Sequence, residues 1–207
     1  MKGLLLKDLY MTRKYFRSFA LLIAVFLVCS VFSDTISFMV LYPCVLAGMI
    51  PVNLMSYDSQ SRWEEYAGAL PYTRAQLVSA KYLLGLVSIL TVLALTGICQ
   101  GLRMVLEGSF LWQELLPLLA MLLVLSLVTP ALSMPLLFRL GVEKGRLIYL
   151  VFIGVACGGS VFLGMAVPAF ALGSVLAGLL PLMCLAAAGL YGISWYVSVR
   201  FYQKREL

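Results

Sequence analysis

LLPLLAMLLVLSLVTPALSMPLLF, residues 115–138, carries no charged side chain and is interrupted only by three prolines, a threonine and two serines. A stretch of about 20 apolar residues is what a helix needs to cross a hydrocarbon slab of roughly 30 Å. This segment is too long and too evenly apolar for the core helix of a soluble domain. It predicts a transmembrane helix, and five further blocks of the same kind lie around it, at residues 18–32, 36–55, 82–102, 147–167 and 172–199. Only helices and closed barrels satisfy the backbone in lipid, and the alternation of a barrel strand is missing, so the expected fold is all-α and polytopic with six spans.

Composition agrees with that reading. Hydrophobic residues make up 63% of the 207 and charged residues 12%, and mean hydropathy is +1.02, outside the range of soluble domains. The chain reads as one transmembrane domain over 1–207. The first block follows five basic residues but no small-residue cleavage pattern comes after Phe32, so it is read as a retained span and not a signal peptide. Cys29, Cys44, Cys99, Cys157 and Cys184 all fall inside apolar blocks with no C-x-x-C pair, as buried small residues do.

Six spans put the N-terminus, residues 56–81, residues 139–146 and the tail from Arg200 on one side. That side receives fourteen of the fifteen Lys and Arg, leaving Arg103 opposite. The positive-inside rule makes it the cytoplasm, with both ends there. The net charge of +6 is then a signature of orientation, and no nucleic-acid motif accompanies it. The loops on the other side are short. The longest polar stretch, 56–81, faces the cytoplasm and is where a soluble partner would meet the chain.

Residues 1–17 form an amphipathic entrance. On a helical wheel Lys2, Lys7, Arg13, Lys14 and Arg17 fall within an arc of roughly 140°, with Leu4, Leu5, Leu9, Met11, Tyr15 and Phe16 opposite. The preferred reading is a surface anchor held by apolar contact and anionic lipid. Asp8 sits in the apolar arc, where an unpaired carboxylate is costly. A second reading therefore turns Asp8 toward the protein and pairs it with a cation of the cytoplasmic loop.

Within that loop, Ser61-Arg62-Trp63-Glu64 has the form of a capping box and predicts a short helix starting near Arg62. Pro71 ends it, and Thr73-Arg74-Ala75-Gln76 is a second box that opens the next spanning helix. Trp63, Glu64, Glu65, Tyr66 and Leu70 mix large rings with charge, which fits a protein interface and fits equally a belt of rings at headgroup level.

The spans hold no ionisable residue at mid-depth and the chain has no histidine. Coupling to protons or sodium is disfavoured. So is catalysis: no acid–base pair, no metal-ligand spacing and no phosphate loop is present, so ATP would have to be used by another chain. Gly97-x-x-x-Gly101 and Gly154-x-x-x-Gly158 offer faces for close helix packing. Pro43, Pro51, Pro130 and Pro135 interrupt spans two and four, and Asn53 and Gln100, near span ends, are expected to bond other helices.

The basic start with Leu6-Lys7-Asp8-Leu9, the six spans, and Arg62-Trp63-Glu64-Glu65-Tyr66, Leu70-Pro71-Tyr72-Thr73-Arg74 and Lys81-Tyr82 after span two together resemble the membrane subunits of type-2 ABC exporters. The resemblance covers the whole chain and is most specific in the loop; small bacterial permeases with a separate ATPase are the most similar class. It implies that residues 1–17, with Lys7, Asp8, Leu9 and Arg13, are an elbow helix. It also implies that 62–70 is a coupling helix docked on a cytoplasmic ATP-binding subunit through Arg62, Trp63, Glu64, Glu65, Tyr66, Leu70, Pro71 and Arg74. ATP and Mg would be bound by that subunit, with no cofactor in this chain. A second copy or a sister permease would complete a dimer in the bacterial cell membrane. The short 167–174 segment departs from family members with long external segments between spans five and six. A non-transporting scaffold or peptide-immunity subunit is the alternative; it would need no pathway, and substrate efflux driven by ATP would exclude it as the main role.

Overall fold

The computed structural model describes residues 2–15, 17–32, 36–61, 63, 73–108, 111–141 and 169–204. These form six helices: α1 (Lys2–Tyr15), α2 (Arg17–Phe32), α3 (Ile36–Gln60), α4 (Arg74–Leu106), α5 (Trp112–Leu140) and α6 (Ala169–Lys204). The protein is all-α over the described residues. The expected fifth span, 147–167, lies outside them, as do Gly154, Gly158 and the loop residues Arg62, Glu64, Glu65, Tyr66, Leu70 and Pro71.

Four of these helices are long and apolar enough to cross a membrane, over Met39–Gln60, Arg74–Leu106, Trp112–Arg139 and Gly178–Gln203. The expected first span corresponds to α2, of which 16 residues are described, a rise of about 24 Å. It meets the entrance segment at 63°, and joined to it reaches spanning length. Elsewhere the helices outrun the apolar blocks. The α3 helix continues to Gln60, past the predicted end at 55, and α4 begins at Arg74, two turns before the block that opens at 82. Polar ends of spanning helices therefore project beyond the apolar layer.

The α3 helix is the central strut: 61% of its apolar window is buried, against 33% or less in the other three. Its Val40, Cys44 and Ala47 meet Ile23 and Leu27 of α2, Ile89 and Val92 of α4, Leu122 and Leu127 of α5, and Ala187 of α6 in one cluster. Pro43 and Pro51 of α3 and Pro130 of α5 sit inside unbroken helices and are fully buried, a place that membrane helices tolerate for proline. Outward, α4 exposes Leu83, Leu86, Val87, Leu90, Leu95 and Ile98, an apolar rim that a lipid solvent accepts and water would not.

Helix approach is closest where small residues sit. A Cβ on Gly48 would lie 3.1 Å from the Ser126 carbonyl oxygen and 3.2 Å from Thr129 Cβ, and one on Gly85 would lie 3.1 Å from Pro51 Cγ. Gly97 of the expected packing motif lies against Leu119, at 3.3 Å on the same measure, while Gly101 is half-buried. The tighter contacts at Gly48 and Gly85 belong to no small-xxx-small pair, so spacing along the sequence does not mark them.

Candidate functional site

One end of the bundle gathers the start of α1, the last turn of α3, the first turns of α4 and the last turns of α5 and α6. The α3, α4 and α6 residues arrive there because their helices extend past their apolar blocks while keeping a buried face. On α3 the stripe Val40, Cys44, Ala47, Leu54 and Met55 continues one turn to Asp58, and on α4 Val78 and Tyr82 flank Lys81. On α1, Leu4 and Asp8, one turn apart, are buried, with exposures of 4% and 1%, while Leu6, Leu9 and Tyr10 are exposed.

Four charges meet at this junction in a closed ring of alternating sign. Lys7 Nζ lies 2.6 Å from Asp58 Oδ1 and 3.3 Å from Asp8 Oδ1; Lys81 Nζ lies 3.0 Å from Asp8 Oδ1 and also bonds Asp58 Oδ2. The two carboxylates are almost wholly enclosed and the two ammonium groups only partly exposed. Desolvating four ions costs several kcal/mol each, and the ring offsets this because every ion touches two of opposite sign. Asp8 thus takes the second of the two expected arrangements: it turns inward and pairs with a cation from the end of the 56–81 segment. The surface-anchor reading, preferred on the wheel, could not see this because the partner lies 73 residues away.

Above the ring, Lys7 Nζ sits 3.9 Å from the centroid of the Trp63 ring, a cation–π contact. Leu4, Met55, Leu77, Phe138 and Tyr202 complete the wall of a small cavity beside Asp8, Asp58, Lys81 and Trp63. The Phe138 and Tyr202 rings meet edge to face at 5.5 Å. Trp63 of the predicted docking segment is thereby brought against Lys7 and Asp8 of the predicted entrance helix.

Arg74 stands apart from this group. Its Nη1 donates to the carbonyl oxygens of Gln203, at 2.9 Å, and Tyr202, at 3.4 Å, where a cation suits the negative end of α6. The Thr73 box forms as expected: Gln76 N donates to Thr73 Oγ1 at 3.4 Å and Thr73 N to Gln76 Oε1 at 3.2 Å. The Ser61 hydroxyl donates back to the Asp58 carbonyl oxygen at 3.1 Å, closing the end of α3. The side chain of Arg13 lies outside the described residues.

Below the ring, α4 and α6 run antiparallel and are joined by hydroxyl groups. The Tyr82 hydroxyl lies 2.7 Å from both Ser194 Oγ and Ser198 Oγ, the Tyr191 hydroxyl donates to the Tyr82 carbonyl oxygen at 2.7 Å, and Trp195 Nε1 donates to Ser79 Oγ at 3.0 Å. Toward the opposite end Gln100 Nε2 donates to Ser30 Oγ of α2 at 3.2 Å, the helix-to-helix role expected of it. Arg103 is buried there and bonds Glu107 through Nε at 2.7 Å.

Asp58 is the member of the ring that no sequence pattern marks, whereas Lys81 stands in the Lys81-Tyr82 pair and among the loop cations open to Asp8. The signal for Asp58 is its place one turn beyond the buried Leu54 and Met55, legible only if the helix is continued past the apolar block.

A family model described as ABC-2 family transporter protein matches residues 3–203. No curated protein and no solved structure matches at a significant level.

Proposed function

Because the chain belongs to the ABC-2 family of transporter proteins, we propose that it is the membrane-spanning permease of an ATP-driven exporter and moves an amphipathic or hydrophobic substrate, such as a peptide, lipid or drug, out of the cytoplasm. It works as a dimer, with a second copy or a sister permease, and ATP and Mg are bound by a separate cytoplasmic subunit. The chain crosses the bacterial cell membrane six times with both ends inside. In this reading α1 is the elbow helix and residues 62–70 are the coupling helix.

The observation that supports this most directly is the junction itself. Trp63, from the segment read as the docking element, lies over Lys7 of α1, and Lys7 is tied through Asp58 and Asp8 to α3 and α4. A push delivered at Trp63 from the cytoplasm therefore reaches three membrane elements at once, which is how closure of an ATPase pair could re-pack the spans as rigid bodies. The spans supply no ion-coupling group of their own, so an outside motor answers a need that the chain leaves open.

The test is capture of the tagged chain, in mild detergent, from membranes expressing it with its neighbouring genes. An ATP-binding subunit is expected to co-purify, and reconstituted vesicles are expected to move substrate only with ATP. Recovery of this chain alone, together with full function after Trp63→Ala and Glu64→Ala, would overturn the proposal in favour of a non-transporting scaffold or immunity role.

A further inference from the structure

The acceptors of the charge ring are unevenly used. Asp58 engages both carboxylate oxygens, Oδ1 with Lys7 and Oδ2 with Lys81. Among the described residues Asp8 engages only Oδ1, which receives both ammonium groups. Its Oδ2 is buried and has no hydrogen-bond partner among the described residues. A buried acceptor left open is costly, and native structures leave few of them without a reason. Asp8 lines a cavity of about 40 Å³, room for one group the size of an ammonium or a water.

Lys7 is the ion best placed to use that oxygen. Its Nζ already lies 3.3 Å from the neighbouring Oδ1, and its side chain is the most exposed of the four, at 22%. Two contacts hold it toward α3: Asp58 Oδ1 at 2.6 Å and the Trp63 ring at 3.9 Å. Trp63 belongs to the cytoplasmic segment, whereas Asp8 is Lys7's own neighbour on α1.

We propose that the cluster is a two-seat latch in which Asp8 Oδ2 is the second seat for the Lys7 ammonium, taken when Trp63 is drawn away. In the first seat, the one observed, Lys7 ties α1 to α3 and to Trp63. In the second, Lys7 pairs with Asp8 alone, so its direct tie from α1 to α3 and Trp63 is released, while Lys81 at the start of α4 still links Asp8 to Asp58. Every carboxylate keeps a cation and every cation a carboxylate in both seats. That is what allows two discrete arrangements of similar free energy, with a partner pulling on Trp63 selecting between them. The role as a transmission step rests on the permease reading above; the existence of two seats does not.

The test uses the full chain in lipid nanodiscs, with Cys29, Cys44, Cys99, Cys157 and Cys184 replaced and spin labels at exposed positions. One pair, Gly3→Cys with Ser59→Cys, reads α1 against α3; the other, Gly3→Cys with Leu83→Cys, reads α1 against α4. Trp63→Ala is expected to add a second, discrete α1–α3 distance while leaving the α1–α4 distance unshifted, and Asp8→Asn in that background is expected to remove it. Trp63→Phe, which keeps a smaller ring and the packing, is expected to give the same second distance at lower population, so poor folding of the alanine variant does not decide the matter. An α1–α3 distance that stays single in both Trp63 variants, as with a water filling the cavity, would overturn the latch. So would a second distance that persists with Asp8→Asn, or equal broadening of both label pairs. No ATPase subunit enters this measurement, so its failure and the failure of the permease reading are told apart by co-purification.

Discussion

Asp58 is the residue whose loss should be felt most. It is the one carboxylate that holds both lysines through separate oxygens, and its side chain is only 5% exposed. Asp58→Ala leaves two cations sharing the single carboxylate of Asp8 in a mostly enclosed junction and is expected to lower stability by about 3–5 kcal/mol, the range for breaking one side of a buried pair, seen as a lower melting temperature of the detergent-solubilised chain. Lys7→Met should cost less, because Lys81 continues to hold both carboxylates and the methionine stem can keep its packing against Trp63. If the two substitutions cost the same, the ring is not organised around Asp58. Little of this is readable in the sequence. Lys7 and Asp58 are 51 positions apart, Asp8 and Lys81 73, and a charge at the edge of an apolar block looks solvated until the helix is known to continue inward on the same face.

Among elements, the helices were legible and their ends were not. Long apolar blocks identify α3 to α6 because lipid removes every alternative to helix, but the first and last turns are set by capping and partners. The α4 start is the exception: Thr73 and Gln76 announce it chemically, and the reciprocal bonds are present. Thr73→Ala is expected to cost about 1 kcal/mol and to speed hydrogen exchange in the first turn of α4, with the helix beyond Tyr82 unaffected. The contact between α4 and α6 should respond to Tyr82→Phe, which removes the hydroxyl shared with Ser194 and Ser198. At about 0.6 kcal/mol for a hydrogen bond between membrane helices, the loss should be about 1 kcal/mol in reversible unfolding. Gly48→Leu is the sharper packing test: with the Ser126 carbonyl oxygen in the way, it should force α3 from α5 at a cost of about 1–3 kcal/mol. The glycine motifs did not point there, because close approach depends on which partner's backbone faces the residue and not on the residue's spacing along its own helix.

For the whole molecule, the charge bias and the three-dimensional arrangement point to the same end. The segments that receive nearly all the Lys and Arg are those whose helix ends converge on the Lys7–Asp58–Lys81–Asp8 ring. On the proposed orientation, Ser59→Cys and Gln203→Cys, both exposed, should react with a membrane-impermeant maleimide only after the cells are opened. Gln113→Cys, exposed at the far end, should react in intact cells. The reverse labelling pattern would overturn the orientation and, with it, the assignment of 62–70 to the ATP side.

The Arg74 contact has a consequence for how the chain is made. Its guanidinium is satisfied by the Gln203 carbonyl oxygen, 129 residues later, and a ribosome adding about 5–20 residues per second needs on the order of ten seconds to cover that distance. Throughout that interval α4 stands in or beside the insertion machinery with a cation at its threshold and the Tyr82 hydroxyl facing no serine. Water, lipid phosphate or a chaperoning helix has to host both until α6 arrives, so the nascent chain passes through a stage in which its membrane half is inserted but not yet fastened.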